Sequence, residues 1–473
     1  MIRILDLAVP EQRKDAFALR ASSAMPAHVP ATVAAIIADV RARGDEAVRA
    51  LTEKFDGPRL GDPFLGAVAW DKLAAQCPLP VRAALEKAAA RVRAFHAPQI
   101  PLDYEQALDA GGTVRCLTLP LGRAACYVPG GRAAYPSTVI MTATVARLAG
   151  VRDVIVATPP RRDGSVLPEV AAAARIAGAT RILRTGGAQA VAALAIGTQQ
   201  IPRADVIVGP GNAFVTEAKK QLSGEVRIDS LAGPTEVAIV ADESADPRLV
   251  AIDLIAQAEH DPLALAVLVT PSARLASAVV ALLANDAEAS PVAREALAAR
   301  GAAIVTRDLA EALAFADELA PEHLQLVCVD ARGSVARVPR AAAVFVGQYA
   351  PVPVGDYLAG PNHTLPTSGT ARFGSPLSAS DFVRRQNVIE YGKAQLAADA
   401  DDIAALAHAE GLHGHARAVE ARVARAAAPA VKAGTVAPTG IAASAAKTGT
   451  AAPAVKAGAA ASAAGPGGAG EKP

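Results

Sequence analysis

Long apolar runs, an excess of one charge and paired cysteines are all absent from this chain of 473 residues, and each absence excludes a class of function. The 47 basic residues balance 46 acidic ones, so no global field favours nucleic acid or an anionic membrane. Apolar stretches such as LALAVLVTP are too short to span a bilayer. The first residues, MIRILDLAVPEQRKDAF, acquire charges too early for a secretory signal. We therefore expect a cytoplasmic protein with a small-molecule partner.

Cysteine is scarce, and no two cysteines form a CxxC motif. We expect reduced, buried thiols at all four positions: Cys77, Cys116, Cys126 and Cys328. Cys126 lies beside a glycine-rich turn, where it suggests a nucleophile for aldehyde oxidation. Because no general base is visible next to it, we interpret Cys126 as a small core residue.

A GxGxxG fingerprint for dinucleotide binding is also missing. The middle of the chain instead contains short apolar runs that end in Gly- or Pro-rich turns, most of them followed by Ala-rich helices: CYVPGG, DVIVATPP, RILRTGGAQA and DVIVGPGNAF. This rhythm predicts a parallel sheet with helices on its faces. Further strand-like runs favour two sheets over one: EVAIVAD, LALAVLVTP, AAIVTRD and AAAVFVG.

Three glycine turns follow these runs, at 129–131, 186–187 and 209–211. The carboxyl ends of parallel strands, and the helix N-termini beside them, are where phosphate-bearing ligands bind. Any single turn of this kind is explained as an ordinary tight turn. Three in succession predict a shared ligand edge.

A polar cluster, QAEHDP, closes an apolar stretch with helical spacing. Gln257 and His260 are three residues apart, so they would share one face of the last helical turn before Asp261-Pro262 ends the helix. On its own, this cluster is better explained by a frayed helix end with a solvated histidine.

Four of the eight histidines lie in later polar patches. The patches are PEH at the end of an acidic helix (321–323), GDYLAGPNH in a Pro/Gly-rich loop (355–363) and EGLHGH (410–415). Buried imidazoles and carboxylates are rare unless paired or metal-bound, so the patches together predict one assembled site. Zinc accepts His nitrogen and Asp oxygen, and a suitable set is Gln257, His260, Asp356 and one C-terminal histidine.

The chain resembles the histidinol dehydrogenase family in a series of motifs that extends to about Ala426. In order, they are YVPGGRAAYPSTVIM, TGGAQAVAALAIGT, VGPGNAFVTEAKKQL, IDSLAGPTEV, QAEHDP, PEHLQ, GDYLAGPNHTLPT, SGTARFGSPLS and EGLHGHARAV. We expect an α/β fold: two Rossmann-like parallel-sheet domains with a helical C-terminal arm and a disordered tail. The expected ranges are 1–122 plus 234–377 for the metal and substrate domain, 123–233 for the NAD domain, 378–426 for a dimerisation arm and 427–473 for the tail.

The resemblance implies NAD-dependent, zinc-containing oxidation of L-histidinol to L-histidine through L-histidinaldehyde, in two hydride transfers. It implies one zinc per subunit, held by Gln257, His260, Asp356 and His415, and NAD contacts from Tyr127, Gln189 and Asn212. His323 would be the general base and Glu322 the activator of water. The remaining substrate shell would be Thr235, His363 and Glu410, with Glu410 and His415 completing the partner's site in a homodimer.

This sequence departs from the family pattern at two site positions. Thr235 stands where serine is usual, although the hydroxyl is kept. His413 is an additional histidine two residues before His415, and the motif aligns on His415. Neither departure removes a ligand type that the implied chemistry needs.

Two alternatives remain open. The first is a zinc- and NAD-dependent oxidoreductase that acts on a different amino alcohol. The second is an enzymatically silent binding homologue whose tail is an interaction module. A binding protein has no need of a base next to a water activator, so the adjacent Glu322 and His323 argue against the second.

The segment after about 427 has a different composition from the rest of the chain. It consists almost entirely of Ala, Gly, Pro, Thr, Ser, Val and Lys, repeats APAVKAG at 428–434 and 452–458, and has Glu471 as its only acidic residue. Such a segment cannot bury enough apolar area to order itself. We expect a flexible, weakly cationic extension that the family pattern lacks.

Overall fold

The structure, a computed structural model, describes residues 2–21, 26–130, 135–286 and 290–427. These residues form two units, of which the first ends at Gly392 and the second begins at Lys393. The tail predicted over 427–473 lies outside the described residues, except that Ala427 ends the last helix. The glycine turn predicted at 129–131 is described only as far as Gly130.

The described strands are β1 (Arg3–Asp6), β2 (Tyr104–Ala107), β3 (Gly112–Pro120), β4 (Arg123–Tyr127), β5 (Asp153–Thr158), β6 (Arg181–Arg184), β7 (Val206–Val208), β8 (Arg227–Ile228), β9 (Glu236–Ala241), β10 (Leu265–Thr270), β11 (Gly301–Val305), β12 (His323–Val327), β13 (Ala343–Val346) and β14 (Val383–Tyr391). The described helices are α1 (Pro10–Ala21), α2 (Val29–Arg43), α3 (Asp45–Asp56), α4 (Ala67–Ala75), α5 (Leu79–His96), α6 (Pro136–Leu148), α7 (Pro168–Ala177), α8 (Gly187–Ile196), α9 (Ala213–Leu222), α10 (Pro247–Ala258), α11 (Ala273–Asp286), α12 (Pro291–Arg300), α13 (Leu309–Leu319), α14 (Ala331–Ser334), α15 (Val352–Tyr357), α16 (Lys393–Ala409) and α17 (His413–Ala427).

The larger sheet of the first unit has six parallel strands in the order β1-β11-β10-β9-β12-β13. Side chains of α10, α11 and α12 pack on one face, and those of α1 and α13 pack on the other. Every residue of β9, β10 and β12 is buried. A strand covered on both faces needs a continuous apolar run, which is why EVAIVA and LAVLVT do not alternate.

A second parallel sheet has five strands in the order β6-β5-β4-β7-β8. One face is covered by α4, α5, α6 and α7, and the other by α2, α3, α8 and α9. The four strand–turn–helix runs identified in the sequence supply β4, β5, β6 and β7. The predicted α/β class, with two parallel sheets covered by helices, is confirmed.

The predicted domain boundaries stay a prediction, because the first unit is continuous from one sheet to the other. The packing nevertheless shows that different parts of the range 1–122 pack on different sheets. The helices α2 to α5 contribute their buried side chains to the five-stranded sheet and not to the six-stranded one. Of that range, α1 and β1 contribute to the six-stranded sheet.

An antiparallel sheet of three strands, in the order β14-β3-β2, was not expected from the sequence. Strand β14 pairs with β3 along its whole length, from Val383 opposite Pro120 to Tyr391 opposite Gly112. The helical arm predicted from residue 378 onward is therefore wrong over 383–391. The segment VRRQNVIEY has β-branched and aromatic residues that suit a strand, and Gly392 separates it from α16.

The second unit consists, in its described part, of α16 and α17 packed against each other. Gly411 takes a left-handed conformation (φ 74°) at the turn between them, and the small side chains of Ala400, Ala407 and Ala416 are buried. These helices bear out the helical part of the predicted arm. No helix in the described ranges is long and apolar enough to cross a membrane.

Candidate active site

Glu322 and His323 lie at the start of a buried strand, not at the end of a helix as the sequence suggested. Helix α13 ends at Leu319, and Ala320 takes a left-handed conformation (φ 46°) that turns the chain back toward the sheet. His323 is then the first residue of β12, between β9 and β13. Thr235 directly precedes β9, so these polar side chains meet at the amino edge of the six-stranded sheet.

The Glu322 carboxylate is held by hydrogen bonds to one of its two oxygens. Its Oε2 atom accepts from the Thr235 hydroxyl at 2.6 Å and from the backbone N–H of Glu236 at 2.8 Å. Gln257, in the last turn of α10, donates from Nε2 to Thr235 Oγ1 at 2.5 Å. The chain Gln257–Thr235–Glu322 thus fixes the orientation of both the amide and the carboxylate.

Burial changes the acidity of Glu322 substantially. It raises the pKa of Glu322 to about 8, although the hydrogen bonds from Thr235 and Glu236 act in the opposite direction. The nearby carboxylates of Glu236 and Asp356 also raise it. A carboxylate with a raised pKa is a stronger base toward water once it is ionised.

His323 has one ring nitrogen committed and the other available. Its Nδ1 atom donates to the backbone oxygen of Glu236 at 2.9 Å, and a carbonyl can only accept, so Nδ1 carries the proton. The Glu322 carboxylate is 3.6 Å from the same atom. Burial lowers the pKa of His323, outweighing the effect of Asp356, so the ring is neutral. Nε2 therefore has a free lone pair, as a general base requires.

Three of the four predicted metal ligands belong to the first unit, and their free atoms suit a cation. Gln257 is buried, and its Oε1 atom has no hydrogen-bond partner within the described part of the chain. His260, two residues beyond the end of α10, donates from Nδ1 to the backbone oxygen of Ala256 at 2.9 Å. That arrangement leaves Nε2 free, and a carbonyl on the other nitrogen is the usual support of a metal-binding histidine.

Asp356 completes this set from the short helix α15, where the sequence suggested a loop. Burial raises the pKa of Asp356, while His323 and His260 lower it, so the three side chains share one electrostatic environment. A bound divalent cation would favour the ionised carboxylate. No cluster of three or more His, Cys, Asp or Glu side chains with metal-binding geometry occurs among the described residues. The amide of Gln257 falls outside that set of residue types.

His363 lies beside Asp356 and faces the five-stranded sheet. Its Nδ1 atom donates to the backbone oxygen of Asp356 at 3.1 Å, and its Nε2 atom is 3.4 Å from the hydroxyl of Thr138 in α6. Burial lowers the pKa of His363 to about 4, so this ring is neutral as well. Because α6 packs on the five-stranded sheet, His363 connects the predicted ligand Asp356 to that sheet.

Glu410 and His415 belong to the second unit. Glu410 follows α16 and His415 lies in the first turn of α17, with both side chains exposed. The additional histidine, His413, has its Nδ1 atom 3.1 Å from Nδ1 of His408 in α16. His413 therefore has a partner within its own unit, whereas the His415 ring makes no hydrogen bond or ion pair with the described residues.

The three predicted cofactor residues line one cavity of about 830 Å³. It lies at the carboxyl edge of the five-stranded sheet, with Tyr127 and Thr158 at strand ends and Gly187 at the start of α8. Basic and aromatic side chains also border it: Lys54, Phe55, Arg161, Arg162 and Phe214. This size and lining suit a ligand as large as a dinucleotide.

The three predicted cofactor residues differ in the hydrogen bonds that their side chains make. The Tyr127 hydroxyl accepts from Gly187 N–H at 3.0 Å, and burial raises the pKa of Tyr127 to about 12. Asn212 caps α9, with its Oδ1 atom accepting from Phe214 N–H and Val215 N–H at 3.1 Å each. Gln189 is buried, and its Nε2 atom has no partner among the residues that the structure describes, so it has a donor to offer a ligand.

Comparisons with known proteins agree on one family. A family model described as histidinol dehydrogenase matches residues 19–423. The histidinol dehydrogenase of a Synechococcus species is 46% identical over 400 residues, covering 84% of this chain and 92% of that protein. The one from Prochlorococcus marinus is 45% identical over 394 residues, covering 82% and 89%. The crystal structure of histidinol dehydrogenase from Elizabethkingia anophelis has a TM-score of 0.83 at 30% identity and covers 90% of this chain and 99% of that one.

The chain belongs to the histidinol dehydrogenase family. It is therefore an enzyme, a dehydrogenase, and the resemblance inferred from the ordered motifs is confirmed. The family assignment covers both sheets and extends into the helical second unit, since the match runs to residue 423.

The thiol of Cys126 is not accessible to a substrate in this member of the histidinol dehydrogenase family. It is completely buried in β4, and burial raises the pKa of Cys126 to about 12. A reactive thiol needs a lowered pKa and access to solvent. The interpretation of Cys126 as a core residue is supported, and all four cysteines are free and buried.

Two polar residues at these sites were not identified from the sequence. Glu236 contacts both Glu322 and His323, and Asp56 lines the 830 Å³ cavity with a buried Oδ2 atom that lacks a partner in the described ranges. Burial raises the pKa of Asp56 to about 6. A weak signal existed for Glu236, because a charged residue opens an otherwise apolar strand in PTEVAIVA.

Proposed function

We propose that this enzyme oxidises L-histidinol to L-histidine through L-histidinaldehyde, with two NAD molecules as hydride acceptors and one zinc ion per subunit. The observation that carries the proposal is the buried pair Glu322–His323 beside a Gln257 amide whose oxygen has no partner. A neutral imidazole and a carboxyl group whose pKa is raised to about 8 suit a reaction with two proton-transfer steps. Gln257 and its neighbours add a cation site next to that pair.

Gln257, His260, Asp356 and His415 would hold the zinc. Their donor atoms are two oxygens from an amide and a carboxylate, and two imidazole nitrogens, which zinc accepts. When bound, zinc would hold the imidazole and amine of the substrate in place while NAD accepts each hydride. Zinc binding by these residues is favoured by the free oxygen of Gln257 and the free Nε2 of His260.

His323 would act in both oxidation steps. In the first, its Nε2 atom takes the proton of the carbinol hydroxyl as the hydride leaves the carbon, giving the aldehyde. In the second, it takes a proton from the hydrated aldehyde as the next hydride leaves, giving the carboxylic acid, which then ionises to the carboxylate. The hydrogen bond from Nδ1 to Glu236 keeps the ring in the tautomer that both steps need.

Glu322 would act between these steps, when water adds to the aldehyde. Its Oε2 atom is held by Thr235 and Glu236, so the lone pairs that remain can accept a proton from water. The pKa raised by burial makes the ionised carboxylate a better base for this purpose. His363 and Glu410 would contact the substrate, as would Thr235.

The cavity at the carboxyl edge of the five-stranded sheet would bind NAD through Tyr127, Gln189 and Asn212. Its volume of about 830 Å³ fits a dinucleotide, and the N-terminus of α8 lies on its border. His363 joins the proposed ligand Asp356 to Thr138 of α6, a helix that packs on the five-stranded sheet. We also propose a cytoplasmic location, in keeping with four free thiols.

A homodimer with shared sites would supply Glu410 and His415 to the partner subunit. Both side chains are exposed in the second unit, and so are the apolar side chains of Leu406 and Leu412. Exposed apolar residues next to exposed functional ones are typical of a surface that another subunit covers.

The test is NAD reduction by the purified, zinc-loaded protein with L-histidinol. We expect two NADH for each substrate molecule and L-histidine as the product. One NADH per substrate, with an aldehyde as the final product, would contradict the second oxidation. Faster turnover of another amino alcohol than of L-histidinol would instead favour the alternative substrate.

A further inference from the structure

We propose that the buried ion pair between Arg20 and Glu236 is a positioning device for both Glu322 and His323. The inference rests on the proposed function, which gives these two residues their roles in catalysis. Arg20 lies in the second half of α1, far from β9 in sequence, yet its side chain reaches the first residue of that strand.

The Glu236 side chain is held in two-point contact by a guanidinium group. Arg20 donates from Nε to Oε1 and from a terminal nitrogen to Oε2, both at 2.9 Å. Such a fork fixes the plane of a carboxylate, which a single point contact cannot do. Arg20 also donates to the backbone oxygen of Leu319, at the end of α13.

The same carboxylate accepts two backbone N–H groups from the segments around the site. Ser368 N–H donates to Oε1 at 3.2 Å, and Glu322 N–H lies 3.4 Å from Oε2. Ser368 has a positive φ of 56°, a strained conformation for a residue other than glycine. The ion pair therefore joins α1, the end of α13, the segment before β12 and the loop at Ser368.

The backbone of Glu236 then contacts the functional groups themselves. Its N–H donates to Glu322 Oε2 at 2.8 Å, and its carbonyl oxygen accepts from His323 Nδ1 at 2.9 Å. One residue thus fixes the carboxylate of the water activator and the tautomer of the base. Fixing the side chain of Glu236 fixes both contacts at once.

Stability alone gives a weak reason for this arrangement. The side chain of Glu236 is 3% exposed and that of Arg20 is 18% exposed, so both charges are largely removed from water. Replacing a buried ion pair with neutral residues is often harmless to stability, whereas removing one partner is costly. The other residues of β9 are apolar, so the strand itself does not need a charge at its first position.

Three variants separate positioning from a structural role: Arg20→Lys, Glu236→Gln and the double variant Arg20→Met/Glu236→Gln. Arg20→Lys keeps the positive charge and removes the pair of hydrogen bonds to the Glu236 carboxylate. Arg13→Gln is the matched control, because it breaks a different ion pair of the same helix, with Glu311 at 3.3 Å, far from these contacts. Melting temperature, kcat and KM for histidinol are measured for each, with crystal structures of Arg20→Lys and the double variant.

For Arg20→Lys we expect a melting temperature close to that of the unmodified enzyme and a kcat lower by up to about 100-fold, as for a misplaced catalytic group. KM should change by less than about threefold, because the metal ligands are untouched. The double variant should be more stable than Glu236→Gln and still have a low kcat. An unchanged kcat in Arg20→Lys, or a kcat that recovers with stability in the double variant, would overturn the proposal.

The crystal structures test the inference without any activity. We expect the contacts of Glu236 with Glu322 and His323 to lengthen beyond hydrogen-bonding distance in Arg20→Lys and in the double variant. If both contacts keep the lengths given above, the ion pair does not position them. Failure of the unmodified enzyme to produce NADH from histidinol would contradict the proposed function separately, and the structures would still decide the role of the pair.

Discussion

At the scale of single residues, the site is defined by which polar atoms are satisfied and which are left free. Gln257 uses its amide nitrogen on Thr235 and leaves a buried oxygen without a partner. His260 and His323 each use Nδ1 on a backbone carbonyl and leave Nε2 free. A buried acceptor without a donor costs free energy of roughly 1–3 kcal/mol, so the Gln257 oxygen, which has no partner among the described residues, suits the proposed cation.

Asp356→Asn tests the metal site. The substitution removes the charge of one proposed ligand and hardly changes its volume, so zinc affinity should fall at least tenfold, roughly the lower limit for losing a supporting contact. We expect little zinc by elemental analysis, loss of activity and an unchanged circular dichroism spectrum. Asp253→Asn is the control. Asp253 lies on the same helix as Gln257, and its carboxylate accepts a hydrogen bond from Gln325 at 2.7 Å. Zinc should be retained in this variant. Full zinc occupancy in Asp356→Asn would contradict the assignment.

Substitutions of the two acid–base residues should affect different steps. His323→Asn removes the base of both oxidations and should slow each by about 10²–10⁴-fold, the usual contribution of general base catalysis. Glu322→Gln should chiefly slow the oxidation of added aldehyde, because only that step consumes water. The two half-reactions are measured separately by supplying histidinol or the aldehyde. Aldehyde oxidation by Glu322→Gln at the unmodified rate would rule out water activation by Glu322.

At the scale of elements, the sequence predicted the strands that coincide with continuous apolar runs, such as β4, β5, β9 and β10. Strand β12 was missed because the patch PEH was interpreted as the end of the preceding helix, and only the left-handed Ala320 separates the two. Strand β14 was missed because its residues are mostly exposed, so its apolar pattern is weak. The site patches were found because His, Asp and Gln are unusual beside helix ends. Glu236 was missed because its role lies in its backbone and in a contact with distant Arg20.

In the turn after β7, the backbone of Gly209 passes very close to the backbone of Tyr127 at the end of β4. Gly209 has a φ of 109°, and a Cβ atom there would lie 2.1 Å from the backbone oxygen of Tyr127. Its N–H donates to Asp229 at 2.7 Å, and its oxygen accepts from the buried Lys219 at 3.0 Å. The position requires glycine, and its conformation sets where Tyr127 and the cap of α9 lie.

Gly209→Ala should therefore lower both stability and NAD affinity. Strain at this conformation costs about 1–3 kcal/mol before the clash with Tyr127 is counted. Gly224→Ala, just beyond α9, is the control, since a Cβ atom there has no neighbour within 4 Å. Thermal unfolding and NAD titration by fluorescence compare the two. Equal melting temperatures for both variants would contradict the close approach.

At the scale of the whole molecule, the two proposed ligands use opposite edges of the two parallel sheets. The cofactor cavity lies at the carboxyl edge of the five-stranded sheet, where a sequence-based argument expects it. The proposed acid–base pair and the proposed ligands Gln257 and Asp356 lie instead at the amino edge of the six-stranded sheet, with Thr235 before β9 and His323 opening β12. No rule about strand ends predicts that second location, because it depends on how α10 and α15 present Gln257 and Asp356.

The last prediction concerns the second unit, which carries Glu410 and His415 on exposed positions. If each arm completes the partner's site, then mixing two inactive variants, His323→Asn and His415→Ala, should restore activity. A mixed dimer has one site with both residues intact and one site with both replaced. Random assembly gives half mixed dimers, so roughly a quarter of the normal activity should return after co-refolding. Each variant refolded alone is the control. Proven heterodimers without recovered activity would show that each site is built from a single chain.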